Sequence, residues 1–209
     1  MTSPSSPTST ETLTYFFDPT CPFTWMTSRW FVDAAERAGI EPRWRAFSLT
    51  LINEGNEVPE EYQAGMRSSH RALRVIESLT AEGRHADAGA FYTEYGTRSF
   101  LQGAEPGDQL IAAAGDAAGV PDALDRSNDE ANEALVRASF DEVRPLVGDD
   151  VGSPVIRKDA TGLAMFGPIV TPAPKGEAGD RLLTGVLALL EVPDVYEMKR
   201  TRTADIDFS

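Results

Sequence analysis

Cys21 is the only cysteine of this 209-residue chain, and it lies in the run Phe16-Phe17-Asp18-Pro19-Thr20-Cys21-Pro22-Phe23-Thr24-Trp25. Sulfur acts as a nucleophile in its thiolate form, so the question is whether the surroundings favour that form. An apolar run, a turn, the cysteine, a proline and an apolar-periodic stretch follow in order. That order places Cys21 at the N-terminus of a helix. A sulfur there meets unpaired backbone N–H groups and the positive end of the helix dipole, both of which favour thiolate. Pro22 suits the first helical position, where an N–H would have no partner within the helix. Lone cysteines are often inert core residues, but this strand–turn–helix setting argues for a reactive one.

Thr24 stands where a Cys-x-x-Cys motif would carry its second thiol. A mixed disulfide on Cys21 must therefore be resolved by the thiol of another molecule. One helical turn from Cys21, the Thr24 hydroxyl has two expected roles: a hydrogen bond to the thiolate, or a capping or surface position. Among the nearby aromatics, Phe23 and Trp25 are the best candidates to wall an apolar cleft, the rest reading as core. Asp18 either orients the loop or forms its turn. Late in the chain, Ser153-Pro154 opens a strand, where the proline is a candidate for a cis bond against the alternative of a trans proline on an edge strand.

Several chemistries are excluded. A net charge of −14 argues against nucleic acid and anionic membranes as partners. His70 and His85 lie in helical text without metal-ligand spacing, are expected on helix surfaces, and imply no metal. No Gly-rich fingerprint for a nucleotide or flavin appears. No apolar run reaches the roughly 18 residues needed to cross a bilayer. Residues 1–10 are rich in Ser, Thr and Pro, without the basic and apolar parts of a secretory signal, and are expected to be a disordered tail. With a single cysteine there is no internal disulfide, as in a reducing cytoplasm.

The elements that must hold Cys21 follow from periodicity. Leu13–Phe17 reads as a strand, residues 22–38 as a helix stopped by Gly39, and Glu41–Phe47 as a second strand, giving β-α-β with parallel strands. From about 59 to 147 the text turns rich in Ala, Glu, Arg and Leu, with helices expected near 59–82, 86–101, 107–118, 121–127 and 129–144. A short strand over about 152–157 and a partner strand over 163–166 form an antiparallel hairpin, followed by a helix over 177–190. The expected fold is α/β: one domain from 11–50 and 148–200, a helical insertion at 51–147, and a tail at 201–209.

These residues carry a resemblance. The chain resembles the DsbA-type branch of the thioredoxin superfamily, a thioredoxin-like fold with an inserted all-helical domain. More narrowly, it is similar to the actinobacterial mycothiol-dependent nitroreductases. The similarity lies in Phe17-Asp18-Pro19-x-Cys21-Pro22-Phe23, Thr27-Ser28-Arg29-Trp30, Ser48-Leu49, Leu51-Ile52-Asn53-Glu54, Gly152-Ser153-Pro154, Phe166-Gly167-Pro168 and Lys199-Arg200-Thr201-Arg202-Thr203. It implies Cys21 as nucleophile within a catalytic set of Cys21, Pro22 and Thr24. It implies mycothiol or another low-molecular-weight thiol as cosubstrate, and an apolar or aromatic electrophile such as a nitroaromatic as substrate. The loop of Ser153 and Pro154 would face the cysteine and hold the thiol through backbone groups. The best-known members carry Cys-Pro-Trp-Cys, so Thr24 departs from them and leaves a single-thiol route. The same text resembles kappa-class glutathione transferases and related isomerases, which keeps a thiol transferase open, as it does a non-catalytic binding protein. A homodimer also stays open.

Overall fold

The apolar run around Tyr15 pairs on both sides. The computed structural model describes residues 11–209, and the tail expected at 1–10 lies outside the described residues. Strand β1 (Thr12–Phe17) sits between β2 (Glu41–Ala46) and β3 (Val155–Lys158), with β4 (Ala164–Phe166) at the far edge, in the order β2-β1-β3-β4. β1 runs parallel to β2, with Tyr15 opposite Trp44, and antiparallel to β3, with Phe16 opposite Val155. Helix α1 (Pro22–Ala38) makes the β1–β2 crossover and stops at Gly39, whose φ of 68° is the left-handed cap that glycine adopts readily.

Six α-helices separate β2 from β3. They are α2 (Leu49–Ile52), α3 (Glu60–Ala81), α4 (His85–Gly96), α5 (Asp108–Ala118), α6 (Ala123–Asn128) and α7 (Glu133–Val147). A π-helical turn, Thr97–Leu101, continues α4. Helix α8 (Gly176–Leu189) follows β4 and packs beside α1, where the Trp30 indole donates to the Gly179 carbonyl at 2.9 Å. Two elements differ from expectation. The single turn of α2 carries too little periodicity to read, and depends on Ser48 accepting a hydrogen bond from the Leu51 N–H. Helix α7 runs past Arg144 and contains Pro145, although proline usually ends such a pattern.

Strand periodicity divides the core. Leu13, Tyr15 and Phe17 enter the main cluster, while Phe16 points the other way to Phe47, Val143 and Val155. Aromatic rings dominate the main cluster: Tyr15 stacks on Phe31 with centroids 5.0 Å apart and meets Trp44 edge-on at 5.4 Å. Tyr92 of α4 completes it, 4.1 Å from Phe17 and 5.6 Å from Trp25. Among the described residues, no helix is long and apolar enough to cross a membrane.

Helix α4 approaches this aromatic layer through two glycines. Gly89 lies against the Trp44 indole and Gly96, two turns on along the same face, against the Trp25 indole. A Cβ at Gly96 would overlap the six-membered ring of Trp25. Helix propensity alone would make Gly96→Ala stabilising by about 1 kcal/mol. The overlap reverses that sign: the variant should lose about 1–3 kcal/mol in urea unfolding. A gain in stability would show that α4 does not pack on Trp25 in this way.

Candidate functional site

Because β1 and β3 are antiparallel neighbours, the loop leaving β1 and the loop entering β3 meet at one end of the sheet. The first carries Cys21 and the second carries Ser153 and Pro154. Cys21 is the N-cap of α1, in extended conformation with φ −82° and ψ 114°. Its N–H donates to the Asp18 carbonyl at 3.1 Å, closing the turn, and its carbonyl accepts from the Trp25 N–H at 3.0 Å, opening the helix. Pro22 holds the first helical position. The half-buried sulfur lies 3.9 Å from the carbonyl oxygen of Ser153, to which the thiol can donate weakly. The Ser153–Pro154 peptide is cis.

Thr24 is buried under this pair. Its hydroxyl is hydrogen bonded at 2.9 Å to the Ser153 hydroxyl, rather than to the sulfur as one expectation had it. The Thr24 carbonyl accepts from the buried Tyr15 hydroxyl at 2.8 Å. Burial drives the Tyr15 phenol well above its ordinary range, so it stays a neutral donor. The side chain standing where a resolving cysteine would be thus joins the two loops.

Phe23 and Trp25 separate. Phe23 is partly exposed beside Cys21, and the Arg202 guanidinium lies over its ring, 4.4 Å from the centroid. Trp25, expected as a cleft wall, is only 2% exposed and forms core between Tyr92 and Phe100. The reason is geometric: two positions on from Phe23, Trp25 points to the opposite side of α1. Arg29 had no role assigned from sequence. Its guanidinium stacks on Trp25 at 4.0 Å and donates to the hydroxyls of Ser28 and Thr93, with no carboxylate partner among the described residues. Desolvation pulls its pKa below the usual arginine value. An unpaired, largely buried cation at the back of the cysteine helix gives no signal in sequence, because it is defined by what α4 brings beside it.

Histidine is also placed differently. His70 is not on a helix surface: it is 9% exposed, with Nδ1 hydrogen bonded to the Ser48 hydroxyl at 2.9 Å and Nε2 to Glu133 at 2.8 Å. It links α3 to α7 and to the cap of α2. His85, at the start of α4, is partly buried, and burial together with the nearby Arg43 lowers its pKa. Among the described residues no group of three or more His, Cys, Asp or Glu side chains is placed to hold a metal.

Asp18 is 1% exposed. One oxygen accepts from the Thr20 N–H at 2.9 Å and from the Ser69 hydroxyl, the other from the Leu49 N–H at 2.7 Å. The carboxylate therefore ties the cysteine loop to α2 and α3, which joins the two roles expected of it. Desolvation outweighs these donors and His70, and raises the carboxyl above its ordinary range. A group that binds its proton more tightly when folded favours the fold at low pH. That contribution is lost as pH rises from the unfolded pKa through the raised folded one. Asp18→Asn lacks this titration, so the wild type should lose stability relative to the variant across that window. Urea unfolding in steps from about pH 4 to about pH 7 measures the difference; a flat difference, or one moving in favour of the wild type, would overturn the assignment.

The comparisons agree with this geometry. The structure of a 2-hydroxychromene-2-carboxylate isomerase is similar to it with a TM-score of 0.60 at 15% identity, over 85% of this chain and 94% of the other. Cytosolic disulfide reductase DsbM from Pseudomonas aeruginosa is similar with a TM-score of 0.55 at 17% identity, over 85% of this chain and 99% of that one. At these identities the likeness shows the fold, a DsbA-like thioredoxin fold. In sequence, a Mycobacterium tuberculosis protein described as uncharacterized protein Rv2286c is 30% identical over 204 residues, covering 94% of this chain and 85% of the other. The Rv2466c-like family, described as mycothiol-dependent nitroreductase Rv2466c, matches residues 20–200, from the cysteine turn to Arg200. With the thiol, the helix it caps and the facing loop all inside that span, the chain belongs to the Rv2466c-like mycothiol-dependent nitroreductase family of thiol oxidoreductases.

Proposed function

We propose that the protein is a cytoplasmic, single-cysteine reductase that uses mycothiol as its electron donor and Cys21 as its nucleophile. One observation supports this reading above the others. The chain's only thiol is half-buried at the start of α1, 3.9 Å from the Ser153 carbonyl, and the position one turn on is a threonine hydrogen bonded to Ser153. Nucleophile and substrate-facing loop are assembled, while an internal resolving thiol is absent from the sequence.

The reaction balances on external thiols. The Cys21 thiolate attacks the mycothiol sulfur of a mixed disulfide, forming a Cys21–mycothiol disulfide and expelling the substrate as a thiolate, which takes up a proton. A second mycothiol, as thiolate, then attacks the mycothiol sulfur of that adduct. Mycothiol disulfide leaves and the Cys21 thiolate is regenerated. The substrate disulfide gains two electrons, and two mycothiols end oxidised as one disulfide. For a nitroaromatic, two free mycothiol thiols would supply two electrons and two protons and end as mycothiol disulfide, giving a nitroso product and water.

The protein's residues divide the work. The α1 N-terminus faces the sulfur with unpaired N–H groups. The Ser153 and Pro154 backbone lies where an extended thiol would pass Cys21. Thr24 fixes the spacing of the two loops through Ser153, and Asp18 holds the turn from beneath. Phe23 offers an apolar face to the substrate.

Treatment with mycothiol disulfide, read by intact mass, should add one mycothiol to the wild type and none to Cys21→Ser. Free mycothiol should then remove it. A folded protein that takes up no adduct would overturn the reading. Turnover retained in Cys21→Ser would instead indicate a transferase that binds the cosubstrate thiol without using its own.

A further inference from the structure

We infer that the C-terminal segment 199–209 forms a wall of the active site, and that its Arg202 selects electrophiles carrying an anionic group next to the reactive atom. This rests on Cys21 being the nucleophile of the site.

The segment has no regular secondary structure, yet specific contacts hold it in place. The Thr171 hydroxyl donates to the Asp205 carbonyl at 3.0 Å and accepts from the Asp207 N–H at 2.8 Å. Ile206 between them is partly buried against the main core. Phe208 stacks on Phe100 with centroids 5.7 Å apart and planes at 21°, and Phe100 in turn packs on Trp25. The loop that receives these contacts is itself fixed to α1, because the Thr27 hydroxyl donates to the Pro168 carbonyl at 2.9 Å. These anchors hold the chain at 205–208 and bring Arg202 over Phe23, in the first turn of the cysteine helix.

The chemistry of Arg202 in that position is specific. The contact with Phe23 places the guanidinium carbon over the ring and commits none of its N–H groups to an oxygen acceptor. Among the described residues Arg202 donates no hydrogen bond and forms no ion pair. Most other arginines do: Arg37, Arg45, Arg74, Arg126 and Arg157 each pair with carboxylates. In a chain with 33 acidic and 19 basic residues, a guanidinium left free beside a nucleophile has a definite consequence. The net charge of −14 repels an anionic substrate at long range. A local cation with a planar fork of donors, beside a partly exposed ring, offsets that repulsion for a flat molecule bearing a carboxylate. The preferred substrate class is thus an apolar or aromatic electrophile with an anionic substituent.

Two alkylating probes of similar size and reactive carbon, iodoacetate and iodoacetamide, differ in charge and isolate this effect. With either, the Cys21 thiolate displaces iodide and forms a thioether. The ratio of the two rates on one protein cancels the thiolate population, and the same ratio on urea-unfolded protein gives the reference. The wild type should favour iodoacetate relative to that reference, and Arg202→Ala should reduce the ratio about fivefold. Arg202→Lys should retain part of the preference, and 0.5 M salt should erase most of it. Phe208→Ala, which loosens the anchor and keeps the charge, should reduce the ratio in the same direction as Arg202→Ala. A ratio unchanged in Arg202→Ala, with both reagents labelling Cys21, would overturn the role of Arg202. Failure of both reagents to label the folded protein would instead overturn Cys21 as nucleophile.

Discussion

A single buried carboxylate fixes the position of the thiol. Asp18 gathers two backbone N–H groups and a hydroxyl from the loop it begins and from α2 and α3. Its burial costs solvation, which shows in the raised pKa. The return is geometric: the turn from Phe17 to Pro22 hangs from one point, and Cys21 can cap α1 without supplying a side-chain cap of its own. The cysteine's placement is thereby decided by groups well away from the sulfur, on helices lying between β2 and β3.

The second constraint is the meeting of two loops. Antiparallel β1 and β3 bring Ser153 to Cys21, but pairing of strands alone leaves side-chain spacing loose. The buried hydrogen bond between Thr24 and Ser153 closes that freedom. A hydroxyl pair in a dry site is held because both oxygens would otherwise go unsatisfied. In place of a second thiol, the chain has a strut at this position. In the proposed single-cysteine route, the resolving step falls to an external thiol.

Much of this was readable from the sequence, for identifiable reasons. β1, α1 and β2 declare themselves through apolar runs, Pro22 and Gly39, all local signals. The facing of Ser153-Pro154 and Cys21 was implied by the resemblance to thioredoxin-like folds. What failed depended on long-range packing. Trp25 sits beside the motif in sequence, yet Gly96 of α4 admits its ring to the core. His70 looked like a surface residue of α3 because the partners that bury it, Ser48 and Glu133, come from distant segments. The stretch from Lys199 to Arg202 was visible as a basic cluster, but its place over Phe23 depends on Phe208 finding Phe100.

Charge distribution links these parts. Most arginines of this acidic chain are neutralised by carboxylates at the joints between helices, as with Arg45 on Glu77 and Glu142 or Arg126 on Glu82 and Asp122. Two of the exceptions touch the cysteine helix. Arg29 lies on the Trp25 ring at its buried side and Arg202 on the Phe23 ring at its open side. Aromatic faces hold a guanidinium without cancelling its charge, whereas a carboxylate at the same distance would cancel it. By giving these two cations rings as partners, the fold leaves two guanidinium charges uncancelled by carboxylates against α1 in a molecule that is negative overall.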